Sequence, residues 1–572
     1  MAVTAVLLPS ALAQAAPPSS SAVPLLSGVT CASLAPGSGG QVTIPASSIG
    51  LPTLGATIDS ATLVPAGTVN GVSRPEYCDV RGTILSVDPQ AEDIKFAAAV
   101  PTAWNEKAWQ FGGSGLNGFV PDVIGASYGS PSSVPPLSTG YAVYGGDSGH
   151  AGQTPGPWIT NDESWLNYAH QGIKKTHDAS IWILKKLYGR GPTANYYIGT
   201  SGGGREGLIA ANRYPGDYQG IAANMPAVDL SNIFYDPAYK GKIQLNPANY
   251  LPPTKANAVA TYVLSKCDAL DGRTDGVINN YLDCSYRLDV TRTAQPFQGL
   301  LCSGAETDNC LTAAQITTLE SFYKPVQYPY ALAGGRTTFA GYPGGMENLP
   351  PLGPFGPQTP WLFSPTAPAA HDPAYFGGGG GVLGGPVTQM WLAKRMGNPN
   401  FSLLDLDLTT HKTHLQLYSE QLDIATDIRT YLRAGGKIVI VTNGSDAVAN
   451  SRAQMEYYNR LLTNLVNGGP AAVKASVKYY VLPNQGHSYG GVDAQGNLIP
   501  DNVDVQSLIQ NWVENNVVPG AAPVATTRAG TATKPVCIFP SYPRYKGSGD
   551  PAAASSYVCT KALYAPIVAP LA

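Results

Sequence analysis

Charge is scarce in this chain of 572 residues. Only 13% of the side chains are Asp, Glu, Lys or Arg, and 35 basic against 38 acidic groups leave a net charge of -3. No long run of one sign stands out, so there is no global field to draw in nucleic acid or an anionic membrane, and a polyanionic partner is not expected. No stretch beyond the N-terminus reaches the roughly 20 apolar residues a helix needs to cross a bilayer, so no membrane span is expected. No C-x-x-C pair occurs and no cysteine lies near clustered histidines, which argues against zinc.

Glycine (64) and proline (49) are abundant, a composition that suits a loop-rich extracellular enzyme. The N-terminus points the same way: Ala2 to Ala13 is a short apolar run ending in Ala11-Leu12-Ala13, followed by the Ala/Pro/Ser-rich stretch Ala15 to Ser21. It reads as a secretory signal leading into a disordered segment to residue 24, although no Lys or Arg precedes the apolar run; a plain disordered tail is the alternative. The destination would be secreted or periplasmic. Eight cysteines, Cys31, Cys78, Cys267, Cys284, Cys302, Cys310, Cys537 and Cys559, are an even number and read as disulfides. Spacing does not fix their connectivity; pairing neighbours in order would give the shortest staples.

The length exceeds one ordinary core, and one large domain with an insertion is favoured over two domains. From about Gly82 to Gly220 short β-rich runs alternate with helical stretches, as in βαβ units. Ala142 to Tyr144 and Tyr196 to Ile198 read as buried strands and Trp165 to Tyr188 as a helix, with His177 a packed, hydrogen-bonded histidine on its apolar face. From about Asp229 to Ala425 the periodicity dissolves into Pro- and Gly-rich sequence, including Pro350 to Trp361 and Gly377 to Gly381. So long a structureless loop would be anomalous, and a separately folded lid is expected there. The alternation then resumes with strands at Lys437 to Val441 and Val477 to Leu482 and helices at Ser451 to Leu462 and Val503 to Val513. The expected architecture is α/β, an α/β-hydrolase core built from 25–228 and 426–572 around a lid at 229–425.

Strand Tyr196 to Ile198 runs into Gly199-Thr200-Ser201-Gly202-Gly203 and then into a helical stretch, Arg205 to Arg213. This is G-x-S-x-G between strand and helix, where a tight turn lifts a serine oxygen above the sheet and small neighbours let the turn close. A turn that merely packs, or cradles phosphate, is the alternative, but no Lys follows as a phosphate loop requires. The Gly202 amide at the helix start would face a developing oxyanion, and the glycine loop 112–115, with Gly113 and Gly115, offers the second donor.

The remaining partners of such a nucleophile lie on loops after later strands, in the order acid, then His. Asp446 follows Lys437 to Val441 and His487 follows Val477 to Leu482. His487 is the only histidine after Asp446; His371, His411 and His414 lie in the expected lid, while His150, His170 and His177 precede Ser201. A surface histidine and an Asx turn are the plainer readings of His487 and Asp446. As a set the three would let His487 take the Ser201 proton while Asp446 orients the imidazole.

Asp268, Asp271 and Asp275 crowd a glycine-bearing stretch between Cys267 and Cys284. Hard oxygen ligands on a turning backbone suit Ca²⁺, with the backbone oxygens of Arg273 and Val277 completing a cage; an ordinary acidic turn is the alternative. Its role would be to brace the lid.

These motifs together resemble the tannase and feruloyl esterase family, which includes hydrolases of terephthalate monoesters. The likeness runs through Cys78-Asp79-Val80-Arg81, Gly140 to Val143, Asp147 to His150, Tyr196 to Gly207, Arg213 to Ile221, the Asp268 loop and Gly435 to Asp446. It implies a Ser201, Asp446, His487 triad, calcium at Asp268, Asp271, Arg273, Asp275 and Val277, disulfides between neighbours in order, and small-molecule esters of aromatic acids as substrates. One departure stands out: the family's paired cysteines beside the nucleophile and the histidine are Thr200 and Ser488 here. Gly202, where relatives often carry a larger residue, is expected to widen the pocket floor. In the lid, Trp361, Phe376 and Trp391 would stack on an aromatic acyl group and Arg395 would pair with a carboxylate, or all four belong to the lid core and surface. An acyltransferase or peptidase on the same fold, and a non-catalytic secreted binding protein, are the competing functions.

Overall fold

The computed structural model describes residues 22–37, 42–69, 71–125, 134–348 and 363–564. The expected signal run, and Trp361, lie outside the described residues. Val23–Pro24, placed by the sequence in the disordered lead, form a short strand antiparallel to Ala103–Trp104, so the fold takes up the chain slightly earlier than expected.

Ten strands make the main sheet: β1 (Thr43–Ile44), β2 (Ala56–Val64), β3 (Tyr77–Ile84), β4 (Ile94–Pro101), β5 (Lys107–Phe111), β6 (Ala142–Gly146), β7 (Ala194–Thr200), β8 (Gly220–Asn224), β9 (Lys437–Asn443) and β10 (Val477–Leu482). Their order across the sheet is β10-β9-β8-β7-β5-β6-β4-β3-β2-β1. β5 to β10 pair in parallel, while β1 to β4 pair antiparallel and join at β6. None of β1 to β4 was marked by the sequence reading.

The parallel strands are apolar almost throughout because both faces are covered. Side chains alternate across the sheet. Tyr197, Ile221, Ile438, Ile440 and Tyr479 face one layer, which holds α2 (Gly202–Arg213) and α6 (Ser451–Thr463). Tyr196, Ile198, Ala222, Val439 and Tyr480 face the other, where α7 (Val505–Asn515) buries Ile509 and Trp512. The helix expected at Trp165 to Tyr188 begins earlier, at Asp162, and passes through a wide turn at Asn167–Gln171 into α1 (Gly172–Tyr188). His177 is buried on it and contacts Asp178 Oδ1 at 2.8 Å.

Strands β8 and β9 pair directly, Gly220 with Lys437 through Asn224 with Val441, although about 210 residues separate them in the chain. Among the described residues, the intervening segment adds no strand to the main sheet. Its roots are tied where the Ile424 amide donates to the Val228 carbonyl (3.2 Å). Its described apolar residues divide between two clusters. The helix Ala256–Cys267 and its neighbours build a smaller core with Phe297, Phe322 and Phe363, which Ala447 of the α/β body also enters. By contrast α3 (Leu230–Gly241), α4 (Gly379–Met396) and α5 (Lys412–Leu422) bury Phe234, Trp391 and Tyr418 in the same cluster as Leu208 and Leu461 of α2 and α6. Their apolar stripes have no other surface to cover, so they close the core of the α/β body.

Candidate active site

β7 delivers Ser201 at the tip of a turn with φ 59° and ψ -117°, a region a side-chain-bearing residue seldom occupies and that marks functional strain. The turn closes because its neighbours lack side chains: a Cβ on Gly199 would strike Gly203, and one on Gly203 would strike the Gly113 carbonyl. The Ser201 amide donates to Asn224 O (2.9 Å), and its carbonyl accepts from Arg205 N (3.0 Å) and Ala227 N (3.2 Å), which clamps the turn to the end of β8. α2 starts at Gly202, so the positive end of its dipole lies beside the serine oxygen.

Asp446 and His487 sit one short loop past β9 and β10. His487 Nε2 lies 2.9 Å from Ser201 Oγ, and His487 Nδ1 lies 2.8 Å from Asp446 Oδ2. Three stretches distant in sequence thus meet in one line of proton contacts. Asp446 is fully buried, and its other oxygen accepts from the amides of Val448 (2.8 Å) and Ala449 (3.0 Å), which fixes the carboxylate plane. His487 keeps one edge open to solvent. Its loop is pinned by the buried Asn443, whose amide donates to the Gly486 carbonyl at 2.6 Å. At the positions of the absent cysteines, the Thr200 hydroxyl is buried without a hydrogen-bond partner among the described residues, and Ser488 is exposed. Such an array can transfer a proton from Oγ to the imidazole and hold the resulting cation.

The glycine loop departs from expectation in two ways. The Gly113 amide is already engaged, donating to the Glu206 carboxylate at 3.1 Å, so it does not face the serine. Gly115, with φ 55°, lies against Gly202: a Cβ on Gly202 would sit 2.9 Å from the Gly115 carbonyl oxygen. The missing side chain at Gly202 is therefore filled by backbone and does not widen the floor. Glu206 and Asn117 were not picked out in the sequence; their contacts span 89 and 93 residues and leave no local pattern. The available signal was the charged pair Arg205-Glu206 inside a helix buried on nearly every side.

Asp268, Asp271 and Asp275 are all buried on a loop turned by Gly272 (φ 93°) and Gly276 (φ 79°). Burial pushes the Asp271 carboxyl up to about 6 and raises that of Asp275, with the negative charges of neighbouring carboxylates adding to both. Buried oxygen donors that resist carrying their charge alone are chemistry a hard cation satisfies, so the donor set fits Ca²⁺. Each carboxylate meanwhile accepts backbone amides: Asp268 from Gly276 (3.0 Å), Asp271 from Arg273 (3.0 Å) and Asp275 from Val277 (3.1 Å). Two cations stand close by. Arg273 pairs with Asp275 at 2.8 Å, and the buried Lys534 ammonium donates to Asn279 Oδ1 at 3.2 Å. Among the described residues the set whose three ligand atoms lie within 4.8 Å of one another is a different one, His177, Asp178 and Asp217. There the Lys174 ammonium already joins Asp178 (2.8 Å) and Asp217 (2.9 Å).

All eight cysteines are paired, in order: Cys31–Cys78, Cys267–Cys284, Cys302–Cys310 and Cys537–Cys559. The residues expected to touch an acyl group fare differently. Trp391 is 1% exposed and packs on Tyr418 with ring centroids 4.8 Å apart, so it is core. Arg395 pairs with Asp162 at 2.7 Å and lies over the Trp391 ring, so its charge is already matched. Phe376 is half-buried against Gly385 of α4.

Comparison with known proteins gives the family and the fold. Residues 78–560 match the family model described as tannase and feruloyl esterase. An uncharacterised esterase of Agrobacterium fabrum is 32% identical over 90% of this chain and 91% of its own length. The mono(2-hydroxyethyl) terephthalate hydrolase of Piscinibacter sakaiensis is 27% identical over 94% and 92%. Among solved structures, feruloyl esterase B from Aspergillus oryzae superposes with a TM-score of 0.68 at 19% identity, covering 89% of this chain and 98% of that one. Tannin acyl hydrolase from Aspergillus niger gives 0.62 at 18%, covering 89% and 92%.

Proposed function

Since the chain belongs to the tannase and feruloyl esterase family and is a carboxylic ester hydrolase, we propose that it cleaves small esters of aromatic carboxylic acids through an acyl-enzyme on Ser201. The observation that carries the reading is the unbroken line Asp446 to His487 to Ser201, with contacts of 2.8 and 2.9 Å. His487 takes the Oγ proton as Oγ bonds to the ester carbonyl carbon. Asp446 keeps Nε2 aimed at Oγ and stabilises the imidazolium. The Gly202 amide, at the positive end of α2, receives the developing oxyanion. Collapse breaks the bond to the alcohol, which leaves with the proton from His487. Water, deprotonated by the same imidazole, then frees the acid.

Aromatic acids are favoured because relatives carry names such as terephthalate-monoester hydrolase and feruloyl esterase. The segment between β8 and β9 serves as the lid over the acyl group. Ca²⁺ would be held there by Asp268, Asp271 and Asp275 with the backbone oxygens of Arg273 and Val277, supplying charge neutralisation to the three buried carboxylates. Four disulfides support export to an oxidising compartment. The test is turnover of methyl ferulate, methyl gallate and a terephthalate monoester by the native enzyme and by Ser201→Ala. Hydrolysis of at least one, lost in the variant, is expected; turnover that survives the substitution refutes the assigned nucleophile.

A further inference from the structure

We propose that Glu206 is a positioning residue that locks the loop 112–118 onto the nucleophile-bearing helix and thereby fixes the second amide donor to the oxyanion. The inference rests on the ester-hydrolase reading of Ser201.

Glu206 lies on α2, little more than one turn beyond the serine, and is 3% exposed. Both of its oxygens are in use. Oε2 accepts from the Gly113 amide (3.1 Å) and the Tyr197 hydroxyl (2.7 Å), and Oε1 accepts from the Asn117 side-chain amide (2.6 Å). Asn117 reaches on to Ser148 Oγ at 2.9 Å and is itself held at φ 61°, a conformation asparagine tolerates better than most residues. The loop is thus pinned at residues 113 and 117 by a single carboxylate, and the arch between those anchors carries Gly115 against Gly202. A carboxylate suits the task because it only accepts, and it has lone pairs enough for three donors at once. α2 acts as the ruler: it sets the distance from Ser201 Oγ to the arch. With the cysteine pair beside the nucleophile and the histidine missing, the placement of the arch depends on this buried network.

An oxyanion donor that drifts lowers kcat and leaves substrate affinity nearly intact, because the interaction strengthens only in the transition state. Three variants separate this from general damage. Asn117→Gly removes one anchor while tolerating the positive φ. Glu206→Met removes both. Glu206→Gln keeps an acceptor for Gly113 and Tyr197 and can donate to a flipped Asn117 amide. Steady-state kinetics on a methyl ester that the enzyme turns over, with melting temperatures alongside, are the readout. On the scale of a single oxyanion donor, kcat is expected to fall roughly 10- to 100-fold in Asn117→Gly with KM within about threefold and melting within a few degrees. It is expected to fall further in Glu206→Met and to recover to within about fivefold of native in Glu206→Gln. Should Glu206→Met fail to fold, the other two variants decide. A kcat within about twofold of native in Asn117→Gly, or a loss carried wholly by KM, overturns the proposal. Ser201→Ala assayed in parallel keeps the two claims apart: turnover surviving there sinks the nucleophile, whereas turnover lost there but kept in Asn117→Gly sinks only the role of Glu206.

Discussion

At Ser201 the proposed role as nucleophile and stability pull in opposite directions. Its backbone, at φ 59°, is held by bonds to Asn224 and Ala227 on the next strand's end, and a side-chain-bearing residue in such a region carries on the order of 1–3 kcal/mol of strain. Glycine has no such penalty, so Ser201→Gly is expected to abolish ester turnover yet melt at or above the native temperature, while Ser201→Ala loses activity without that gain. Melting of Ser201→Gly clearly below Ser201→Ala would mean the turn is not strained. Asp446→Asn keeps the volume but presents an N–H or a neutral oxygen to Nδ1, and the wrong imidazole tautomer is expected to reduce kcat by roughly 10⁴-fold with little change in KM. These three residues were legible in the sequence because each follows a recognisable strand in the required order. Glu206, Asn117 and Asn443 were not, because their partners lie on other elements and a buried polar network has no period.

Among the elements, the parallel strands β6, β7, β9 and β10 announced themselves as short apolar runs, whereas β5, β8 and the antiparallel strands did not: β2, for one, carries exposed polar residues such as Asp59 and Ser60 that blur its alternation. The Asp268 loop, proposed to hold Ca²⁺, is the element whose stability should answer to its ligand. Exhaustive chelation is expected to lower the melting temperature by several degrees, because among the described residues three buried carboxylates then have Arg273 and Lys534 to offset them; an unchanged transition would argue that those two cations suffice. The stretch Gly344 to Glu347, packed near this loop's core, gives a pH test. Glu347 is 5% exposed and burial pushes its carboxyl up to about 8, with the Gly345 amide opposing. The folded state then holds its proton more tightly than the unfolded chain, whose carboxyl titrates near 4.5. Its contribution is greatest below about pH 4.5 and is lost as pH rises towards 8, by at most about 1.4 kcal/mol per pH unit. Glu347→Gln is therefore expected to gain melting temperature relative to native between pH 5 and 8. A constant difference across that range would place the carboxylate in a wetter setting.

For the whole molecule the decisive feature is that α3, α4 and α5 of the long insertion share one interior with the α/β body. Pro- and Gly-rich composition suggested a unit folded apart, since the apolar residues of 229–425 show little regular spacing; their destination depends on tertiary contacts that spacing does not encode. The join is also ionic. At the roots of the insertion Arg336 bonds Asp423 at 2.8 Å and lies 3.4 Å from Asp229, which Arg460 of α6 meets at 3.0 Å. All four groups are buried, and Arg205 of α2 adds bonds to the carbonyls of Leu422 (2.7 Å) and Ala169 (2.6 Å). Removing one member of such a set strands an opposite charge without water, which typically costs about 3–5 kcal/mol. Arg336→Met is accordingly expected to lower stability by that order. Because the insertion has no independent interior at this junction, the loss should appear as one cooperative transition moved to lower denaturant and followed alike by tryptophan fluorescence and far-ultraviolet dichroism. Two separated transitions, with ester turnover lost in only the first, would show instead that the insertion and the body unfold as distinct units.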